Sequence, residues 1–545
     1  MKARGIRMRL FTSSMILVAC SLLLLTRAWA ATVVSGNVSG TWTTNGSPYI
    51  LSADCTVVSN QTLTIQPGVT AIIGPDITFW IYGGLTAVGT SELPIAIRGA
   101  NSTSYWQRVL LYSSSFTNRF HYCRVSEASD IAIWFSVSGG NRVMTTEILN
   151  CDFLNCRNGA ILGSVQAYAS GPDTGDATLV SEVHNCVFDS TGNFGCVFSG
   201  LFSDPAQALI QAHLTGNVFK NIRGRAVQLY KASSSGTTNA SKPLFINNTV
   251  VNCGRGVEAD HPYLEPTIRN NLFVRSTNAV VANIFAGLST FDAGYNGFFN
   301  NTANFVGYPG IYGIPVQINH NGDPCDAFFN IFLDPQFLDT NRFLLRPSSP
   351  CIDAGDPAIA DVCFQFSRGS AISDIGTYGG PEACGWLTHG FAPVITGPLH
   401  DQSSCVGGST TFKVRVDGSE PLSYRWYFNG TNLLAGETNA QLNLVNLEAT
   451  QAGLYSVAIS NTFGSVTSAA ARLFVFDACV DINLYAGLSI AGMVGRTYTV
   501  DCATNLAATN WTALATNTFS EPRWLFIDTN TPFNPARYYR VRLQP

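Results

Sequence analysis

Glu258, Asp260 and His261 stand within four positions of one another, with Arg255 just before them and Arg223 and Arg225 about thirty residues earlier. Paired carboxylates can divide general-acid and general-base work on a glycosidic bond; inverting hydrolysis needs them roughly 6.5–9.5 Å apart with room for water. A lyase would instead use acids holding Ca²⁺ against a uronate and a base such as Arg225 to take the α-proton. The plainer reading of this cluster is a solvated loop with a local Arg–Glu pair. A second set suits binding. Trp80, Tyr82, Trp106, Tyr112 and Trp134 carry flat rings that, on an exposed face, stack on the apolar C–H face of a pyranose; turned inward, they are ordinary core. His121, His184 and His213 are isolated along the chain. Ser/His/Asp arrangements, phosphate loops, H-E-x-x-H and C-x-x-C are missing from the sequence.

What must position these residues is a repeat. Asn150-Cys151-Asp152-Phe153, Asn185-Cys186-Val187-Phe188, Gly216-Asn217-Val218-Phe219, Asn247-Asn248-Thr249-Val250 and Asn270-Asn271-Leu272-Phe273 share one pattern at intervals of about 23 to 35 residues. Each is followed by a small residue and a β-branched one: Ala160-Ile161, Cys196-Val197, Ala226-Val227, Gly256-Val257 and Ala279-Val280. A related turn begins at Tyr122-Cys123. Such a period predicts a solenoid of short strands, each pairing in parallel with its copy about 4.8 Å above and below. Asn or Cys at one bend of every coil predicts a ladder, the Asn amide bonding both the bend backbone and the amide of the next coil. In this alignment Asp260 falls opposite Tyr230 and Asn283. Glu258 shares an outward column with Trp134, Leu162, Phe198, Gln228 and Val281, neighbours unlike a metal site built from stacked acids.

Upstream, Leu63-Thr64-Ile65, Ile77-Thr78-Phe79, Leu85-Thr86-Ala87-Val88 and Ile95-Ala96-Ile97 alternate with period two, punctuated by Pro67-Gly68 and Gly83-Gly84. The stretch from Gly40-Thr41-Trp42 through Gln66-Pro67-Gly68-Val69 to Ala100 resembles the opening of many bacterial extracellular β-helix proteins of the pectate-lyase-like superfold. That resemblance covers roughly residues 40–300. It implies an all-β chain built on a right-handed parallel β-helix, a common platform for polysaccharide lyases and hydrolases. The Asn-Thr-Asp, Asp-Asp and Gly-His-Gly segments of a β-helical pectinolytic hydrolase do not occur in this sequence. Leu333-Asp334-Pro335-Gln336-Phe337, the run from Arg346 to Pro357 and Asp374-Ile375-Gly376-Thr377-Tyr378 resemble the end of such proteins, a cap shielding the last coil's open edge. Asp353 and Asp356 within it are the candidate Ca²⁺ ligands; Asx-turns in a Gly/Pro-rich loop explain them more simply.

From about Pro393 the composition shifts. Gln451-Ala452-Gly453-Leu454-Tyr455-Ser456-Val457 resembles the tyrosine-corner strand of an immunoglobulin-like domain, with Trp426 as core Trp. Val414 and Val457 stand where that family has its core cysteines, so the sandwich over 393–476 is expected to lack the intersheet disulfide. Residues 477–545, with Tyr498-Thr499-Val500 and Tyr538-Tyr539-Arg540-Val541, resemble a small C-terminal β module of exported bacterial proteins, in which Cys479 and Cys502 suit a bridge.

The N-terminus predicts export. Lys2, Arg4, Arg7 and Arg9 precede an apolar run from Met15 to Leu25 that closes on Ala28-Trp29-Ala30, the pattern of a signal peptide over 1–30. Leu17-Val18-Ala19-Cys20 resembles a lipobox, but four leucines follow it. Past residue 30 no apolar run of about 20 residues occurs, so the mature chain is expected to lack a membrane span. Net charge is −4 with no basic block, which argues against a nucleic-acid partner. Of 15 cysteines, Cys325, Cys351, Cys363 and Cys384 crowd a stretch where one or two disulfides are expected, while Cys151, Cys186, Cys196 and Cys253 read as buried thiols. The expectation is a β-helix over 31–390 in a secreted or cell-surface protein. Its expected role is non-catalytic glycan binding or adhesion, with an extracellular polysaccharide as partner. The alternative is a polysaccharide lyase or glycoside hydrolase.

Overall fold

The computed structural model describes residues 31–545 apart from 102, 113–115, 172–173, 203–205, 234–240, 261–263, 284–291, 364–368, 389–391, 462, 478–485, 506–509 and 530–536. Residues 1–30, where a signal peptide is expected, with Cys20, and also His261 and Cys479, lie outside these residues.

Each coil carries three strands. Arg142–Leu149, Asp152–Leu154 and Gly159–Ala167 make one coil, and Ala177–His184, Val187–Asp189 and Phe194–Phe202 the next. First strands stack into a 10-stranded sheet; second and third strands form two ladders within a 20-stranded one. Pairing is parallel and in register, for example from Arg142↔Ala177 to Leu149↔His184. The chain is all-β, its body a parallel β-helix, and its one α-helix among the described residues is the single turn Gly385–Thr388.

The bend between first and second strands explains the repeat. Its first position is left-handed in six successive coils: Tyr122 (φ 51°), Asn150 (56°), Asn185 (54°), Gly216 (69°), Asn247 (53°) and Asn270 (57°). Asn and Gly tolerate this region at least cost. The next residue turns inward and forms the ladder. Cys123 N donates to Cys151 Sγ and Cys151 N to Cys186 Sγ, both at 3.4 Å. Cys186 N then donates to Asn217 Oδ1 at 2.9 Å, and Asn217, Asn248, Asn271, Asn296 and Asn330 follow amide on amide. Each Asn amide also donates back to a coil below, as Asn217 does to Val183 O at 2.8 Å. Beside the ladder, Phe153, Phe188 and Phe219 stack with centroids 5.0 and 4.6 Å apart, and Phe273 on Phe298 at 5.3 Å.

Two sequence expectations need correction. Leu162 pairs with Val197, not Phe198, and Val197 pairs with Gln228; Phe198 points inward and is buried. Gly195 and Cys196 are both small, so the small-then-branched motif aligns one residue out in that coil. The segment expected as a cap also does more than close the last coil, and its part from about residue 351 to 388 forms a strap. Asp356 N donates to Asn270 Oδ1, Thr377 N to Thr249 Oγ1, Asn247 Nδ2 to Asp374 O and Trp386 Nε1 to Gly216 O, at 2.8–3.0 Å. The strap thus runs back along the bend over successive coils. Its reason is hydrophobic: Val218, Val251, Leu272 and Val274 form an apolar outer surface that packs with Cys351, Ile375, Tyr378 and Trp386.

In the second unit, Tyr455 Oη donates to Gln451 O at 2.9 Å, forming the tyrosine corner. Trp426, Val414 and Val457 are buried, and hydrocarbon fills the place of the intersheet disulfide. Farther on, Thr512–Thr518, Thr497–Ala503 and Tyr538–Leu543 form a three-stranded antiparallel sheet. Within it the buried Asp501 accepts from Arg540 Nε at 2.9 Å and Arg542 Nη2 at 3.0 Å. Cys502 is a free buried thiol and Cys405 is disulfide-bonded, so the bridge expected between Cys479 and Cys502 does not form. Cys325, Cys351, Cys363 and Cys384 are free thiols as well, so the one or two disulfides expected in that stretch are not formed in the structure.

Candidate functional site

The outward face of the third ladder carries both candidate clusters. One column runs Trp80, Leu110, Trp134, Leu162, Val197, Gln228, Glu258 and Val281. Two residues along each strand, the neighbouring column runs Tyr112, Ser136, Ser164, Ser199, Tyr230, Asp260 and Asn283. Six coil steps of about 4.8 Å separate Trp80 from Glu258, a face about 29 Å long.

At one end lie the aromatics. The Trp80 and Tyr82 rings are parallel within 3° with centroids 6.2 Å apart. Tyr112 meets Tyr82 edge-on at 6.0 Å. Tyr82 and Tyr112 are each 38% exposed. Asp54 holds the platform, accepting from Trp80 Nε1 at 3.2 Å and Thr78 N at 2.9 Å. Trp134 is half-buried, donates to Ser164 Oγ at 3.0 Å and lies under Arg108 at 5.0 Å. Trp106 does not belong to this surface. It is fully buried, and its Nε1 donates to Ser126 O at 2.7 Å. It precedes the strand Arg108–Tyr112 at a bridge to Ala128, where the interior leaves room for an indole.

At the other end, Glu258 is 1% exposed. Its carboxylate accepts from Arg225, from Arg255 and from Asn283 Nδ2, the last at 3.0 Å. Asp260 accepts from Gln228 Nε2 at 2.7 Å and from Asn283. The structure therefore brings Arg225, Glu258 and Asp260 together, but as a saturated network. A general acid needs a carboxyl open to substrate; Glu258 is buried and its carboxylate is already taken up by two guanidiniums and an amide. Asp353 and Asp356 are likewise engaged: Ser370 N donates to Asp353 Oδ1 at 2.7 Å, Ala358 N to Asp356 Oδ1 at 2.9 Å, and Arg269 pairs with Asp356. Among the described residues no group of His, Cys, Asp and Glu has metal-holding geometry.

A further constellation is created by the fold. Glu182 and His184 project from one strand, and His213 is the in-register partner of Glu182 one coil on. Glu182 lies 2.9 Å from both His184 Nε2 and His213 Nδ1. The His184 hydrogen bond, more than the nearby His213, holds the Glu182 carboxyl below its ordinary range. The strap closes a groove of about 540 Å³ over these residues, lined also by Ile359, Val362 and Glu382. A signal was present, since the 31-residue step from Cys186 to Asn217 also carries Glu182 to His213.

Residues 393–475 match the immunoglobulin I-set domain model, and the chain carries such a domain. A curated relative, Protein bark beetle of Drosophila melanogaster, is 41% identical over 56 residues, which is 10% of this chain and 2% of that protein. Among solved structures, the titin M3 domain is 25% identical over 16% of this chain and 98% of that one, with a TM-score of 0.15. The tandem Ig repeats of Dlar are 22% identical over 16% and 49%, also at 0.15. No helix among the described residues is long and apolar enough to cross a membrane.

Proposed function

We propose that the chain is an exported, non-catalytic glycan-binding or adhesion protein, a bacterial β-helix of the pectate-lyase-like class. Its binding face is the third ladder's outer surface, and its partner an extracellular polysaccharide. The observation that carries this reading is the Trp80–Tyr82–Tyr112 platform, solvent-facing and held by Asp54. The ladder continues it with Ser136, Ser164 and Ser199, hydroxyls suited to sugar hydroxyls. A strand-spaced face about 29 Å long accommodates an extended oligosaccharide along the helix axis. Affinity electrophoresis in gels containing soluble polysaccharides tests it. A Trp80→Ala/Tyr82→Ala variant loses retention by roughly 5- to 30-fold, from about 1–2 kcal/mol of ring contact. Unchanged retention of that variant would refute the platform.

A second reading, a polysaccharide lyase or glycosidase, is favoured by one observation: Glu182 orients the His213 imidazole through Nδ1 beside the Glu382 groove. A carboxylate-oriented imidazole is a general-base arrangement. New reducing or unsaturated ends that vanish in His213→Ala would support it over the binding reading.

A further inference from the structure

Among the described cysteines, Cys363 and Cys384 differ from the rest in their surroundings. Cys123, Cys151 and Cys186 are stacked in the ladder, fully buried, with thiols turned to backbone carbonyls such as Phe120 O and Ile148 O. Cys325 and Cys351 are fully buried between strap and helix. Cys363 and Cys384 are free thiols in contact with each other; Cys384 is half-exposed and its thiol lies 3.7 Å from Val362 O. Both cysteines are in the strap, and each has a neighbour in the groove wall: Val362 beside Cys363, and Glu382 two residues before Cys384.

We propose that Cys363 and Cys384 form a disulfide in an oxidising compartment, and that this bridge clasps the strap and fixes the wall of the Glu182/His213 groove. The oxidant is a disulfide donor, either an oxidised dithiol protein or glutathione disulfide. Cys384, the reachable thiol, attacks as thiolate; one donor sulfur leaves as thiolate and a mixed disulfide forms. Cys363 thiolate then attacks Cys384 Sγ, and the second donor sulfur leaves. Two electrons pass to the donor, whose two thiolates take up the protons that Cys363 and Cys384 release. Burial explains the selectivity: the ladder thiols are closed to a donor, whereas Cys384 is not.

Peptide mapping of the full chain, secreted from an oxidising compartment, tests this. The chain is denatured and alkylated without reduction, then digested. Besides the linked peptide that contains Cys405, the expected result is a linked peptide pair joining Cys363 and Cys384, lighter than the free pair by two hydrogens, with Cys123, Cys151 and Cys186 alkylated. Alkylated Cys363 and Cys384, or either one linked elsewhere, would overturn the bridge. Limited proteolysis tests the clasp on the same material. Reduction is expected to speed cleavage within residues 358–388 several-fold in the native chain and to leave a Cys363→Ser/Cys384→Ser variant unaffected. Equal rates before and after reduction of the native chain would overturn the clasp.

Discussion

Replacing Asn271 by Ala removes four hydrogen bonds from the centre of the ladder. Asn271 Nδ2 donates to Phe245 O at 2.7 Å and to Asn296 Oδ1 at 3.0 Å; its Oδ1 accepts from Asn248 N at 2.9 Å and Asn248 Nδ2 at 3.0 Å. Asn296 Oδ1 keeps the Asn271 backbone N–H, and Asn248 Nδ2 keeps Leu214 O. The Asn248 backbone N–H is the group left stranded, and Asn248 is fully buried. At about 1 kcal/mol for each of the four net bonds, plus about 1–3 for a stranded buried donor, the loss is about 5–7 kcal/mol. Asn271→Asp is expected to be worse than Ala, because a carboxylate would face Phe245 O and Asn296 Oδ1 with nothing to donate. Urea titration of the full chain, following the far-ultraviolet signal of the β-helix transition, measures both. A β-helix transition within 1 kcal/mol of wild type for Asn271→Ala would refute the ladder as a structural element. So would an Asp variant more stable than Ala.

Other expectations follow from buried charge. Lys231 points into the helix interior, fully buried, with its ammonium 3.2 Å from Ser241 Oγ and 5.3 Å from the Phe202 ring. Burial pulls its pKa down to about 8. A lysine lowered on folding costs stability while charged in both states, so the penalty is full below about pH 8 and fades toward its ordinary value near 10.5. Lys231→Met is therefore expected to be more stable than wild type by about 1–3 kcal/mol at pH 7. That advantage closes between pH 8 and 10.5 in melts across pH, and a pH-independent difference would contradict it. Glu258→Gln leaves Arg225 and Arg255 facing a neutral amide. Both guanidinium side chains are more than a third exposed, which places the cost at about 1–3 kcal/mol in the same urea assay.

Much of this was legible in the sequence because a solenoid repeats one local demand. Asn150, Asn185, Asn247 and Asn270 mark a left-handed bend, and Asn217, Asn248 and Asn271 an inward amide, once per coil. Lys231 could have been placed inward by alternation from Val227 and Leu229, which are buried. Trp106 could not be placed, since it sits at a bridge outside the alternating strands. Glu258 was readable as a column position, but its saturation depended on side chains from three coils meeting: Arg225, Arg255 and Asn283. The groove over Glu182 and His213 required a strap about 170 residues downstream to fold back on the first sheet, a contact no periodicity encodes.

The central claim is that the third ladder's outer face binds polysaccharide without cutting it. The most direct measurement is a polysaccharide panel run with the full chain and scored in parallel for retention and for new reducing or unsaturated ends. The account predicts at least one retained polysaccharide with no new ends after long incubation. Cleavage products that disappear in a Glu258→Ala/Asp260→Ala double variant would contradict it.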